Sequence, residues 1–280
     1  MNDQNETGDK AQQRPGIQSV EIAATILKAL VRGGGVLPLN RLAKLADLHP
    51  GKVHRYLISL TRSGLVIQDR ESGHYRIGPL SMTVGLAGLR ITHPLRLAME
   101  ALPALRDKVG ETVALAIWAD VGATVIAIEE SRHPVTMNVR VGSLLPLLST
   151  AAGRTFAAFM PADMTADFLA KEWADSLAQE WAGDNPEDGA GIVPDRQELE
   201  TILDDIREKG LAGIESRLLP GVNALAAPVF DYRGRLSSVI GIIGRREMVP
   251  SDLDGPIAQT LKETTDDLSR MLGHLNTDTA

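Results

Sequence analysis

The sequence predicts a two-domain α+β protein: an N-terminal winged helix-turn-helix, a linker helix, and a C-terminal α/β domain built on an antiparallel sheet. Three observations carry that prediction. The stretch from Leu39 to Ile77 reads as two short helices joined by a tight turn, then a small β-hairpin. Charge is divided unevenly: Ile17–Arg90 holds ten Lys+Arg and four Asp+Glu, net +6, whereas Ile91–Ala280 holds seventeen and twenty-nine, net −12. From Glu111 onward, β-branched and alternating runs separated by Gly, Asp and Pro replace helical periodicity.

A chain of 280 residues, 44% hydrophobic and 23% charged, has mass for about two domains with a core in each. The predicted divisions are a disordered tail over 1–16, the winged helix-turn-helix over 17–78, the linker helix over 79–92 and a ligand-binding domain over 93–275. Absence of cysteine excludes disulfides, thiolate nucleophiles and Cys-based zinc sites. Met1–Pro15 is polar and lacks the apolar core of a signal peptide, and no run approaches the roughly 20 apolar residues of a membrane span. The expected location is the cytoplasm, with no membrane partner.

In chain order, Ile17–Arg32 is an amphipathic helix ended by Gly33-Gly34-Gly35. Those glycines are not a phosphate loop, because no Gly-Lys-Ser/Thr follows and no strand precedes them. Leu42, Leu45 and Ala46 repeat at helical spacing, with Asn40 read as the cap. Asp47-Leu48-His49 makes the turn. His49 is the expected cap of the next helix, and Pro50 suits its first position, where a missing N–H costs nothing. Val53, Leu57 and Leu60 form its buried stripe, and Gly64 ends it. The hairpin pairs Leu65-Val66-Ile67 with His74-Tyr75-Arg76-Ile77 across Arg70–Gly73.

Pro79–Arg90 reads as a helix with few charges and small residues, suited to helix-on-helix contact with a second subunit. Pro94–Val109 is the next helix, carrying Pro103 and stopped by Gly110. Strands are expected at Thr112–Trp118, Thr124–Glu129, Val135–Val141, Ala224–Phe230 and Leu236–Ile243, the last two joined by a turn at Asp231–Arg235. Leu145–Phe159 begins as a buried loop and turns helical near Ala152. Acidic helices are expected at Ala162–Trp173 and Asp195–Lys209, a flexible acidic loop at Gly183–Gly191, and a last helix from Ser251 to about Leu275.

The face of the Pro50 helix opposite its buried stripe carries Lys52, Arg55, Ser59 and Arg62, with His54 and Tyr56 beside them. A cationic, hydrogen-bonding second helix followed by a basic hairpin fits docking of the helix in the major groove and of the wing on phosphates or the minor groove. The candidate duplex contacts are Gly51, Lys52, His54, Arg55, Tyr56, Ser59 and Arg62 on the helix, and Arg70, His74 and Arg76 on the hairpin. Ser19 and Asn40, at the starts of the first two helices, complete the set. A basic module on an acidic chain is the footprint of phosphate binding, with double-stranded DNA as partner.

Several short segments resemble the IclR (isocitrate lyase regulator) family of bacterial transcription factors. They are Gly16–Glu21, Val53-His54-Arg55 with Leu57 and Leu60, Gly64-Leu65-Val66, Tyr75–Pro79 and Gly110–Val113. Val141-Gly142, Leu145-Pro146, Ala152-Gly153-Arg154 and Ala226–Asp231 continue the ordered series, which spans Gly16 to Leu272. The resemblance implies a GAF/PAS-like effector domain and dimers, or dimers of dimers, on a partly palindromic operator in the bacterial nucleoid. Relatives often have a Lys-Ser-Thr-like stretch and a Leu where this chain has Pro50-Gly51-Lys52 and Tyr56, so no relative's operator transfers.

The resemblance also implies an effector site formed by the loop Ser149–Gly153, Glu215 and the last two strands. The implied residues here are Leu144, Leu147, Ala151, Ala152, Gly153, Glu215, Asn223, Ala224, Gly241 and Ile243, with Leu148 on the approach. Ala224, Gly241 and Ile243 stand where organic-acid binders tend to place small polar side chains. Each hydrogen bond so lost costs a small polar acid about 1–3 kcal/mol, which points to an aromatic or branched organic acid; the other reading is that these residues only pack the core. Free amides near Ala152 suit a ligand carboxylate.

Catalysis has no visible support. The six histidines are scattered, HExxH and Gly-x-Ser-x-Gly are absent, and Glu129-Glu130, Asp204-Asp205 and Asp266-Asp267 read as solvated acids. No cofactor and no metal is expected. The alternative to a DNA-binding regulator is a ligand sensor acting by protein contact with a degenerate helix-turn-helix.

Overall fold

The computed structural model describes residues 16–91, 93–131, 139–181, 193–215 and 221–275, and the chain divides into two compact units between Ile91 and Thr92. The first unit runs α1 (Gln18–Arg32), β1 (Val36–Leu37), α2 (Leu39–Leu45), α3 (Pro50–Arg62), β2 (Val66–Gln68), β3 (Tyr75–Ile77) and α4 (Pro79–Ile91). The strands form an antiparallel sheet in the order β1-β3-β2. Its core gathers Ile26 and Leu30 of α1, Leu42 of α2, Val53, Leu57 and Leu60 of α3, and Leu37, Val66 and Tyr75 from the strands.

Two details differ from the sequence reading. Asn40 does not cap α2: the helix begins at Leu39 with extended Pro38 in the cap position and no side-chain cap bond. The reason is β1, which delivers the chain to the helix already extended; the Pro38 carbonyl then accepts the Leu42 N–H at 3.1 Å. β1 itself, two residues long, is too short for any period to reveal. The turn before α3 places Asp47 at φ 51°, a left-handed conformation that Asp tolerates better than most residues.

The end of α3 is tied to the start of α4. Leu65 O accepts the Gly78 N–H at 2.9 Å and the Ser81 hydroxyl at 2.8 Å, and Gly64 O accepts the Leu80 N–H at 3.1 Å. The approach is so close that a Cβ on Gly78 would lie 2.2 Å from Gly64 O. Glycine is therefore required there by space.

The second unit runs α5 (Pro94–Val109), β4 (Thr112–Ala119), β5 (Gly122–Glu129), α6 (Ala151–Phe159), α7 (Ala162–Trp181), α8 (Arg196–Lys209), β6 (Ala212–Glu215), β7 (Val222–Phe230), β8 (Leu236–Arg245) and α9 (Pro256–Met271). Its sheet is antiparallel in the order β5-β4-β8-β7-β6. Strand alternation divides the side chains between two cores. Val113, Leu115, Leu225, Ala227, Val229, Ile240 and Ile242 meet α5 and α9. Ala116, Ala226 and Val239 meet α6 and α8 on the other face.

The four-residue β6 was not expected; AGIE shows no pattern of its own and is held by its ladder with β7. α7 continues past Trp173 to Trp181. Most of the expected Val135–Val141 strand, the Gly183–Gly191 loop and the N-terminal tail lie outside the described residues. Among the described residues no helix is long and apolar enough to cross a membrane.

Candidate DNA interface and effector pocket

α3 starts as its sequence dictates. Pro50 takes the first position and His49 Nδ1 accepts the Gly51 N–H at 3.2 Å. With Val53, Leu57 and Leu60 buried, the 3.6-residue period turns Gly51, His54, Arg55, Ser59 and Arg62 to solvent. Lys52 is half-buried, as is Tyr56, whose ring rests against the N-terminal core. Every ion pair among the described residues lies in the C-terminal unit, between Arg96 and Arg270. Lys52, Arg55 and Arg62 thus have no carboxylate neutralising them there.

The wing tip is closed by Asp69, whose carboxylate accepts the Ser72 N–H at 2.8 Å, the Ser72 hydroxyl at 2.8 Å and the Glu71 N–H at 3.2 Å. These bonds, the Ser72 N–H foremost, hold the Asp69 carboxyl below its ordinary value, against a smaller opposing effect of desolvation. Arg70 is exposed at the tip. On β3 alternation buries Tyr75 and leaves Arg76 exposed, with His74 half-buried. Ser19 and Asn40 are exposed on α1 and α2.

The second site is a partly open cavity of about 120 Å³ on the α6 face of the large sheet. Ala114 and Ala116 of β4, Ala224 of β7, and Gly241 and Ile243 of β8 line it from the sheet; Ile214 and Leu145 add further apolar surface. Of its sixteen lining residues only Ser149, Thr150 and Asn223 carry polar side chains. Two of these are engaged. The Asn223 amide donates to Val249 O at 2.9 Å, and Thr150 Oγ1 donates to Pro146 O at 2.7 Å while accepting the Gly153 N–H at 2.9 Å.

Thr150 is the cap of α6, and Ala151 and Ala152, its first two residues, line the cavity. Their N–H groups precede the first intrahelical bond, so the positive end of the helix opens onto an apolar space. That combination can receive a carboxylate attached to a hydrophobic body.

The loop leading into α6 is fastened from a distance. Glu172 on α7 accepts the Leu147 N–H at 2.8 Å and the Leu148 N–H at 2.9 Å with its two oxygens, while Arg154 Nε donates to Leu148 O at 2.9 Å. Burial pushes the Glu172 carboxyl above its ordinary value, outweighing those two N–H bonds. Glu172→Ala leaves two part-buried N–H groups unpaired, so we expect a loss of about 1–3 kcal/mol in thermal unfolding of the C-terminal unit. Retention of the wild-type melting temperature would contradict this. Nothing in the sequence tied Glu172 to a loop 24 residues earlier.

Six of the ten effector residues named from sequence line the cavity: Ala151, Ala152, Asn223, Ala224, Gly241 and Ile243. Leu144, Leu147, Gly153 and Glu215 do not. Leu144 is exposed and bridges to Thr124, while Leu147, like Leu148, is buried in the core beneath α6. Gly153 is packed under Pro146 O. Ile214 faces the cavity, so its neighbour Glu215 points away, where it meets Arg246 at 3.3 Å and the Ser251 hydroxyl at 2.7 Å. Ala114 and Ala116 were missed, although the alternation along β4 places them on the same face.

A winged helix-turn-helix joined to an α/β domain with an apolar cavity defines a ligand-responsive DNA-binding regulator. Comparison with known proteins makes this specific. The family described as "IclR helix-turn-helix domain" matches residues 19–70, and "Bacterial transcriptional regulator IclR C-terminal" matches residues 89–270. The chain belongs to the IclR family: it is a transcriptional regulator with a C-terminal effector-binding domain, not an enzyme.

Among its relatives, the glycerol operon regulatory protein of Streptomyces coelicolor is 28% identical over 260 residues, 92% of this chain and 97% of the relative. The protein of the same name from Streptomyces griseus is 30% identical over 237 residues, 84% of this chain and 88% of that one. The crystal structure of Pseudomonas aeruginosa HmgR is 36% identical with a TM-score of 0.74, covering 94% of this chain and all of that one (100%).

Proposed function

We propose that the regulator reads its operator by seating α3 in the major groove, with Lys52, Arg55, Ser59 and Arg62 on base edges and phosphates and the wing's Arg70 and Arg76 on the backbone. The observation that carries this reading is the row of cations on α3, with Arg55 and Arg62 exposed, Lys52 half-buried, and none of the three paired to a carboxylate among the described residues. A fold stabilises charge at a surface by pairing it or hydrating it; cations with no carboxylate partner among the described residues, on the second helix of this motif, match the sign of duplex phosphate. Purified protein should enrich a specific duplex from a random pool, with affinity falling steeply as salt rises. A protein that enriches no duplex at low salt defeats the proposal, and leaves the sensor acting by protein contact.

The working unit is a homo-oligomer, with a dimer as the minimum. Met82 and Leu86 of α4 are 64% and 56% exposed, and Ile17 and Val20 at the head of α1 are 70% and 63% exposed. On α1, Ile17, Val20, Ala24, Leu27 and Val31 follow the 3–4 spacing of a helix-packing seam. Apolar helix faces of this extent call for a partner surface, and a second copy supplies an identical one. Such oligomers act on DNA in the bacterial cytoplasm, at the nucleoid.

The effector is an apolar monocarboxylate, aromatic or branched, with its carboxylate at the Ala151 and Ala152 amides and its body over Ala114, Ala224 and Gly241. Binding shifts the population of dimer geometries through α4, which requires different affinities for the two states and a coupling of about 1–3 kcal/mol. Benzoate or phenylacetate should raise the melting temperature, whereas succinate should not; stabilisation by succinate alone would sink this chemistry. A Cβ at Gly241 would meet only Leu225 O, at 3.5 Å. Gly241→Val is therefore expected to fold normally, fill the cavity floor and lose at least about tenfold in affinity for the aromatic acid, since overfilling a packed site costs about 1–3 kcal/mol. Unchanged binding by that variant, measured by calorimetry, would place the ligand elsewhere.

A further inference from the structure

Among the exposed large hydrophobic side chains, α3 carries a single one, Ile58, 42% exposed. At about 100° per residue, Gly51, Arg55, Ile58 and Arg62 succeed one another at steps of four, three and four along one stripe. That stripe lies opposite Val53, Leu57 and Leu60, which are buried. Ile58 is therefore the aliphatic centre of an otherwise polar and cationic face.

Folding gives no reason for it. The side chain belongs neither to the N-terminal core nor to the residues packed against it, and a β-branched residue gives up rotamer freedom in a helix that a lysine or glutamate would keep. Its neighbours explain more. Gly51 presents no side chain, and a Cβ there would meet only the His49 ring at 3.4 Å, so the head of the helix can approach a surface closely. Arg55 and Arg62, one step to either side, carry the charge that draws that surface in and point to a phosphate-lined groove. Within the major groove the apolar group on offer is the C5-methyl of thymine.

We propose that Ile58 packs against a thymine C5-methyl and so specifies a T·A pair, flanked by the contacts of Arg55 and Arg62. This rests on the docking of α3 proposed above. It adds a hydrophobic contact to a helix otherwise read through its charges.

The test uses the full-length protein and the duplex that it enriches from a random pool, with each thymine replaced in turn by deoxyuridine, which lacks only the methyl. In each half-site, one replacement should weaken wild-type binding about fourfold, the worth of one buried methyl. Ile58→Ala, which removes the contact from both half-sites of a dimer, should bind the parent duplex about as weakly as wild type binds a duplex carrying the replacement in both half-sites, should be indifferent to those replacements, and should melt at the wild-type temperature. If every replaced duplex binds like the parent, or if Ile58→Ala keeps the same sensitivity, the inference fails. Arg55→Ala separates the two ideas. If it weakens binding while deoxyuridine has no effect, the helix docks but Ile58 does not read thymine. If it binds as wild type does, the docking itself is wrong and Ile58 falls with it, as both do if no duplex is enriched.

Discussion

Reversing two charges, Lys52→Glu with Arg55→Glu, should remove operator binding almost completely while leaving the fold intact. Arg55 is exposed, Lys52 is half-buried, and neither is held by an ion pair among the described residues, so their loss breaks no internal bond. The interaction with DNA is another matter. A base-edge contact from arginine is worth about 1–3 kcal/mol. Each lysine or arginine that neutralises a phosphate contributes close to one to the slope of log K against log salt. Substitution by glutamate replaces attraction with repulsion at the same place.

The expected loss is on the order of 10³-fold at moderate salt, with the salt slope reduced by about two per recognition helix. Fluorescence anisotropy at several salt concentrations measures both quantities at once. A fall in affinity with an unchanged slope would mean that these side chains touch no phosphate. Arg96→Glu is the control: it removes an exposed cation, which pairs with Glu100 at 3.6 Å, from the C-terminal unit. It should bind the operator as wild type does.

How far the sequence reveals these sites depends on whether the information is local. α3 is legible in full. Its cap, first-turn proline, buried stripe and terminating glycine all lie within sixteen residues, and hydrophobic period alone divides its inside from its outside. β1, β6 and the Asn40 position are not legible, because a two- or four-residue strand gets its identity from the strand beside it. The pocket is intermediate. Resemblance brought the loop and the last strands together, but strand alternation decides what faces the cavity, and it excludes Glu215 once Ile214 is known to face in. The fastening of the loop by Glu172 is illegible in principle. An acid on an amphipathic helix looks solvated until the fold delivers two backbone N–H groups to its oxygens.

Gly153→Ala should produce the opposite phenotype to the double charge reversal: an operator binder that is blind to its effector. A Cβ on Gly153 would lie 2.0 Å from Pro146 O and 2.6 Å from Thr150 Oγ1, well inside contact distance. Neither neighbour is free to retreat. Pro146 O accepts the Thr150 hydroxyl at 2.7 Å, and the next two residues are pinned by Glu172 at 2.8 and 2.9 Å.

The methyl must therefore displace the loop from the head of α6, and with it Ser149 and the amides of Ala151 and Ala152 that line the cavity. Alanine returns up to about 1 kcal/mol in helix propensity, whereas overpacking of this kind costs about 1–3 kcal/mol or more, so the net sign is destabilising. The melting temperature should drop by a few degrees, at about 2–4 °C per kcal/mol for a unit of this size.

Affinity for the aromatic acid should fall much further, by at least about tenfold, since the carboxylate loses aligned donors and each misplaced hydrogen bond is worth about 1–3 kcal/mol. Effector-free operator affinity should stay at the wild-type level, because α3, the wing and α4 are untouched. Calorimetry with phenylacetate, set beside anisotropy on the operator, measures the two separately. Wild-type effector affinity in Gly153→Ala would show that the loop and the first turn of α6 take no part in ligand binding, however closely they border the cavity.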